Sequence, residues 1–236
     1  MNLKAYIIHV KGQEERKRHI ESELAKTPFE YEFIEDGNIS DLSHERLQKY
    51  FDGHMLDVKA ASSCGYKHFL AYERIVREKL PMAIIFEDDI ELFDNFLPIL
   101  EQSLAEMANN NLKNMLVSYE YSLTWLINRS EEENNKVLYK KPISRCAGLY
   151  IVDFQAATMM LERVKKSKCD TAIDLWHNEL IEKGLLNAYW CHPTIAQQQS
   201  HNGKTRSLID NKKYGPVRIQ IYKLKMLYKT LRQKLS

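Results

Sequence analysis

The stretch Met82–Asp89, which reads MAIIFEDD, decides the fold because it joins a short apolar run to three consecutive acids. An uninterrupted apolar run of this length is typical of a central strand in a parallel sheet, which is buried on both faces. Pro81 precedes the run and ends the helical pattern of Ala60–Leu80. The sequence therefore predicts a helix followed by a buried strand whose carboxyl end carries the acids Glu87–Asp89.

Strands and helices alternate on both sides of this stretch. Further strands are predicted at Leu3–Val10, Tyr31–Glu35, Lys113–Tyr119, Gly148–Val152 and Leu186–Cys191. Further helices are predicted at Gln13–Lys26, Ser43–Phe51, Phe93–Met107, Phe154–Lys166 and Asp174–Lys183, and Ser122–Ile143 is predicted to be a mobile loop. This alternation predicts an α/β fold with a parallel or mixed sheet, covered by helices on both faces. Ligands of such sheets bind beyond the carboxyl ends of the strands.

Composition limits the classes of protein that need to be considered. The chain has 236 residues, of which 44% are apolar and 28% charged, so one packed domain is expected. A net charge of +2 gives no reason to expect nucleic-acid binding. No apolar run is long enough to span a bilayer, and the N-terminus reads as a strand and not as a signal peptide. The four cysteines form no C-x-x-C pair, which predicts reduced thiols in a cytoplasmic protein without structural zinc.

Basic charge is concentrated at the C-terminus. Residues 204–236 contain ten basic side chains and one acid, so this tail carries +9 and the remainder of the chain carries −7. Apolar residues recur at helical spacing from Val217 to Leu235, with lysines beside them. This pattern predicts an amphipathic helix on an anionic membrane surface. The alternative is a terminal helix that packs on the body. The chain is thus divided into a domain at 1–203 and a basic tail at 204–236.

The three acids after the predicted central strand repel one another, so something must relieve their charge. Carboxylate oxygens suit Mg²⁺ or Mn²⁺, ions that often bind substrate phosphates as well. The alternative is that the acids cap the next helix and solvate its loop.

Several short segments occur in an order that resembles one enzyme family. They are Ile8–Val10 with Arg16, Ile34–Gly37, Cys64–His68 and Ile84–Ile90, with shorter blocks at Ala147–Tyr150, Ile173–Trp176 and Gln197–His201. The set resembles glycosyltransferase family 25, whose members build lipooligosaccharide in Gram-negative bacteria. The resemblance implies a GT-A (Rossmann-like) fold with a mostly parallel sheet. It also implies an inverting, metal-dependent transfer of a sugar, expected to be galactose, from a UDP-sugar to a lipooligosaccharide or LPS hydroxyl.

On this reading, the donor side of the site lies after the first strand and after the acidic strand. Asp89 and His201 are the candidate ligands of Mn²⁺ or Mg²⁺, and Asp88 is expected to bond the ribose or the water on the metal. The candidates for contact with uridine, phosphate or other parts of the substrate are His9, Lys11, Arg16 and His68. A structural role inside its helix is the open alternative for His68.

An inverting displacement needs a carboxylate that accepts the proton of the acceptor hydroxyl. The two candidate acids are Asp174 and Glu120, which lie at predicted element boundaries late in the chain. The resemblance favours Asp174 as the base and Glu120 as a sugar contact. The alternative for Asp174 is a helix N-cap.

Two other functional classes fit parts of the pattern. Glu87–Glu91 supplies a crude D-x-E spacing, which would suit a phosphatase-like metal-dependent hydrolase. The basic tail would suit a non-catalytic membrane-surface binding module. For the transferase, the expected partners are a UDP-sugar, a lipooligosaccharide acceptor and the anionic cytoplasmic face of the bacterial inner membrane, where the protein would be peripherally bound.

Overall fold

The computed structural model describes residues 3–122 and 127–202, together with Leu208, Leu224 and Tyr228. For residues 201 and 202 the description is limited to the backbone. The helices are α1 (Glu14–Leu24), α2 (His44–Leu47), α3 (Ala60–Glu78), α4 (Phe96–Asn109), α5 (Phe154–Lys166), α6 (Ile173–Glu182) and α7 (Gln199–Asn202). The strands are β1 (Lys4–Ile8), β2 (Glu30–Ile34), β3 (Met82–Glu87), β4 (Ile90–Leu92), β5 (Met115–Ser118), β6 (Leu138–Lys141), β7 (Leu149–Asp153), β8 (Asn187–Cys191) and β9 (Ala196–Gln198).

In the described part of the chain, seven strands form one sheet in the order β2-β1-β3-β7-β5-β8-β6. β1 pairs in parallel with β2 and β3, and β5 pairs in parallel with β8. β7 is antiparallel to β3 and β5, and β6 is antiparallel to β8. Five of the seven strands therefore share one direction. The predicted α/β fold, with a mostly parallel sheet and flanking helices, is confirmed.

The central strand β3 explains why its sequence is apolar without alternation. Ala83 and Ile85 face one hydrophobic cluster, while Ile84 and Phe86 face the other. All four side chains are fully buried. Helices cover both faces of the sheet, so both sets of side chains leave water. Burial of each large side chain contributes roughly 1.5–3 kcal/mol of hydrophobic free energy.

The prediction of a mobile loop at Ser122–Ile143 is wrong for the part that forms β6. Leu138 and Tyr139 are buried, and β6 pairs with β8 at the edge of the sheet. The exposed Lys140 conceals the strand in the sequence, because an edge strand is commonly polar on its outer side. The predicted helix at Ser43–Phe51 is limited to α2, and Tyr50 and Phe51 pack into the core beyond its end.

A second, two-stranded antiparallel sheet joins β4 to β9 directly beyond the acids. The Gln199 N–H donates to the Asp89 carbonyl at 2.8 Å, which places α7 beside the end of β3. No described helix has the length and apolar character needed to cross a membrane. The predicted tail helix lies outside the described residues, apart from Leu224 and Tyr228, which are helical and exposed.

Candidate active site

A cavity of about 500 Å³ opens where the carboxyl ends of β1 and β3 meet. This is the position at which a doubly covered sheet places ligands, and the volume is within the range of small-molecule sites. Its lining comes from both halves of the chain and includes Lys11, Arg16, Asn38, Cys64, Lys67, Glu87, Asp88, Asp89, Cys146, Asp174, Gln198 and Ser200.

Asp88 is held by two basic side chains from the first β-α unit. Its Oδ2 lies 2.8 Å from Nδ1 of His9, and its Oδ1 accepts from Arg16 at 2.5 Å. Burial opposes ionisation of Asp88, but the contacts with His9 and Arg16 hold its pKa below the ordinary value. Both oxygens of Asp88 are therefore engaged by the protein itself. Asp88 and Arg16 line the cavity, whereas His9 does not line it and contacts Asp88.

Asp89 differs from Asp88 because one of its carboxylate oxygens has no hydrogen-bond partner. Its Oδ2 accepts weakly from the Ser200 N–H at 3.3 Å, and Arg16 lies 3.8 Å away. Its Oδ1 is buried and has no hydrogen-bond partner. Burial and the charge of Glu87 raise the pKa of Asp89. A buried oxygen without a partner fits the predicted divalent cation, which would supply the missing positive charge.

Lys67 is a buried cation at the cavity wall that sequence analysis did not select. Its Nζ donates to the His9 carbonyl and to Oδ1 of Asn38, at 2.7 Å in the second case. Burial lowers the pKa of Lys67 to about 8, against the attraction of Asp88. In the sequence it is one lysine within a helix, so nothing marks it as buried. With Lys11 and Arg16 it gives the cavity positive side chains on the side of β1.

Asp174 also lines the cavity, from the first turn of α6. The helix begins one residue earlier, with Ala172 at the N-cap, so the alternative that Asp174 is an N-cap is wrong. Its Oδ1 accepts from the Leu175 N–H at 2.9 Å. Burial raises the pKa of Asp174, and the nearby Glu87 carboxylate adds to this effect. A carboxylate of raised basicity at a cavity wall suits proton transfer.

Glu120 follows β5 as predicted, but it does not line the cavity. It is fully buried, and its Oε1 accepts from the Gly148 N–H at 2.7 Å. Burial, with a contribution from Glu87, raises its pKa to about 8. The position of Glu120 gives no support to the predicted sugar contact and favours a role inside the sheet.

The two remaining predicted histidines have different surroundings. His68 is fully buried within α3, where its Nδ1 lies 2.8 Å from the Tyr150 hydroxyl, and it does not line the cavity. His201 belongs to α7, beside Ser200, but its side chain lies outside the described residues. The metal-ligand prediction for His201 therefore stays a prediction.

Comparison with known proteins identifies related sequences. The sequence model of glycosyltransferase family 25 (LPS biosynthesis protein) matches residues 2–176. A Haemophilus influenzae protein named "Putative glycosyltransferase" is 26% identical over 72% of this chain and 60% of its own length. The "Lipooligosaccharide biosynthesis protein lic2B" of H. influenzae is 25% identical over 51% of this chain and 46% of its own length.

The chain thus spans about 60% and 46% of the lengths of these two relatives. Among solved structures, mouse xyloside xylosyltransferase 1 in its apo form aligns with a TM-score of 0.38 and 13% identity. That alignment covers 78% of this chain and 70% of the mouse chain. A similarity at this level does not inform the fold or the site.

Proposed function

We infer the function from the premise that the chain belongs to glycosyltransferase family 25 (LPS biosynthesis protein). We propose that it transfers a sugar from a UDP-sugar donor to a hydroxyl of a lipooligosaccharide or LPS acceptor. Galactose is the sugar that we propose. The reaction would invert the anomeric carbon and depend on Mn²⁺ or Mg²⁺.

One observation carries the proposal, namely the combination of a carboxylate oxygen without a partner and several cationic side chains in one cavity. Asp89 presents an oxygen without a partner, while Lys11, Arg16 and Lys67 stand on the side of β1. A nucleoside diphosphate bound with a divalent ion carries both signs of charge, so it needs both kinds of protein group. A cavity for an uncharged ligand would not require this arrangement.

Each side chain then has a defined task. Asp89 would hold the divalent ion, which when bound neutralises charge that develops on the departing diphosphate. Arg16 is fixed by Asp88, so its position beside Asp89 is maintained before substrate arrives. Lys11 is exposed and free to approach the nucleotide. Asp174 would accept the proton of the acceptor hydroxyl as the new glycosidic bond forms.

Isothermal calorimetry with UDP tests the proposal directly. We expect UDP to bind in the presence of Mn²⁺ and to bind much less after chelation of the ion. A panel of UDP-sugars with linkage analysis of the product then tests galactose. A phosphatase-like hydrolase would instead release phosphate from simple phosphate esters, and a non-catalytic module would bind no UDP. Either of those results would contradict the transferase.

We also propose that the basic tail at 204–236 holds the protein on the anionic cytoplasmic face of the inner membrane. Ten basic side chains against one acid would be attracted to anionic lipid. Leu224 and Tyr228, four residues apart on the predicted apolar stripe, are 64% and 68% exposed. Large apolar side chains with this exposure are available to enter the headgroup region.

Removal of the tail after Gly215 is expected to weaken binding to vesicles that contain phosphatidylglycerol, while transfer to short soluble acceptors continues. Binding of the whole chain should fall as salt rises, because ions screen the attraction. As a matched variant, Leu224→Ser with Tyr228→Ser keeps every charge and removes apolar contact, so it should bind less than the whole chain at high salt. Equal vesicle binding by the truncated and whole chains would contradict the membrane role.

A further inference from the structure

A second group of potential ligands lies where α3 faces the end of β3, and it consists of Cys64, His68 and Glu87. Cys64 and His68 are four residues apart on α3, so they share one face of the helix. One ligand atom from each of the three side chains lies within 4.8 Å of the other two. In the described part of the chain, no other three histidine, cysteine or acidic side chains meet this condition, and Asp89 is outside the group.

Two of the three separations between these atoms match tetrahedral coordination, and the third is below 4.8 Å. Cys64 Sγ and His68 Nε2 each lie 3.7 Å from Oε1 of Glu87. A tetrahedral ion with bonds of about 2.0–2.3 Å separates its ligand atoms by about 3.3–3.8 Å. At 3.7 Å, by contrast, nitrogen and oxygen are too far apart for a hydrogen bond. The three side chains are therefore spaced for an ion between them.

The state of His68 provides an independent observation. This imidazole is fully buried, and its Nε2 has no hydrogen-bond partner. A buried polar atom without a partner is energetically unfavourable, so its orientation towards Glu87 requires an explanation. A bound cation would occupy the lone pair of Nε2 and remove this cost.

Groups behind the cluster hold its members in place. His68 Nδ1 lies 2.8 Å from the Tyr150 hydroxyl, which lies 2.7 Å from the Tyr72 hydroxyl. Gln198 Nε2 donates to the other oxygen of Glu87, Oε2, at 2.8 Å. Hydrogen bonds of this kind orient metal-binding histidine and carboxylate side chains. Nδ1 of His68 and Oε2 of Glu87 are thus engaged, whereas Nε2 of His68 has no partner. Oε1 of Glu87 accepts from the Cys64 thiol, whose proton a bound Zn²⁺ would displace.

We propose that Cys64, His68 and Glu87 form a Zn²⁺ site, separate from the divalent-ion site proposed at Asp89. Thiolate and imidazole favour Zn²⁺ over Mg²⁺ or Mn²⁺, which prefer oxygen ligands. Zn²⁺ displaces the thiol proton of Cys64 to solvent on binding. Cys64 and Glu87 line the cavity, so an ion held by them would be accessible from it. Three protein ligands with one open position characterise zinc sites that bind water or substrate.

Cobalt(II) replaces Zn²⁺ with a visible signal, and it tests the site in the whole chain. Addition of Co²⁺ should produce a near-ultraviolet thiolate-to-cobalt band that Zn²⁺ abolishes by displacement. Cys64→Ser should remove the band. Cys146→Ser is the matched control, since Cys146 also lines the cavity but is outside the group, and it should keep the band. His68→Asn should weaken Co²⁺ binding at least about tenfold. Absence of the band, or its survival in Cys64→Ser, would overturn the site.

Two further measurements keep the test decisive. If Cys64→Ser does not fold, X-ray absorption of the zinc-loaded wild-type chain should show one sulfur ligand, and a shell of only nitrogen and oxygen would overturn the site. Asp89→Asn should keep the cobalt band even where Mn²⁺-dependent UDP binding is lost. Failure of the transferase proposal and failure of the zinc proposal are thereby distinguished.

Discussion

Asp174→Asn is expected to lower the turnover number about 10²–10⁴-fold, the usual contribution of a general base. The amide cannot accept the proton of the acceptor hydroxyl, but its oxygen can still accept from the Leu175 N–H. UDP affinity should remain near that of the wild type, because Asp174 is assigned neither to the metal nor to the diphosphate. Steady-state kinetics and UDP calorimetry on the same preparation measure the two effects.

The pH dependence of turnover provides a second test of Asp174 as the base. Burial raises its pKa, and only the ionised form can act as base. Turnover in the wild type should therefore decline as the pH falls through this raised pKa. The decline should be absent from the residual activity of Asp174→Asn.

Glu120→Gln is the matched control for the loss of a carboxylate. Glu120 is buried away from the cavity with a pKa of about 8, so it is mostly uncharged at neutral pH. The amide preserves its size and the acceptor for the Gly148 N–H, and we expect nearly unchanged turnover. If Glu120→Gln abolishes turnover while Asp174→Asn affects only stability, Glu120 is the base and the proposed assignment is wrong.

Asp89→Asn is expected to lower Mn²⁺-dependent UDP affinity by about 100-fold or more. Mutation of a group that hydrogen-bonds a metal ligand typically lowers metal affinity or activity about 10–100-fold. In Asp89→Asn the proposed ligand itself is changed. The fold should be retained, because the amide oxygen can still accept from the Ser200 N–H. Burial and the repulsion from Glu87 both oppose the charge of Asp89 and raise its pKa, so removal of the charge should not lower the melting temperature.

Asp94→Asn supplies the control for Asp89→Asn. Asp94 is exposed and lies five residues further along the chain, outside the cavity lining. It removes one negative charge from the same region, and UDP affinity should be unchanged. Wild-type Mn²⁺-dependent UDP binding and transfer by Asp89→Asn would show that Asp89 holds no metal.

Much of the frame could be predicted because it depends on local patterns. The apolar run of Met82–Phe86 and the acids that follow it predict a buried strand with a charged end, and the structure places β3 there. Strands and helices in alternation predict an α/β sheet in the same way. β6 was missed because its lysines hide a strand that is stabilised by pairing with β8, a contact distant in sequence.

Contacts between segments that are distant in sequence decide which side chains of the site can bind a ligand. Asp88 and Asp89 look equivalent in the sequence, yet the parallel pairing of β1 with β3 brings His9 beside Asp88 and leaves Oδ1 of Asp89 without a partner. Glu120 shares the strand-end pattern of these acids but is buried against Gly148.

The sequence by itself determined the type of fold, the acidic strand end and, through its ordered motifs, the family. Only the tertiary structure decided which carboxylates face a ligand, that Lys67 is a buried cation at the cavity, and that Cys64 and His68 meet Glu87. The physical reason is the range of the interactions. Hydrophobic periodicity depends on the order of neighbouring residues, whereas burial and charge pairing depend on groups that the fold brings together from distant parts of the chain.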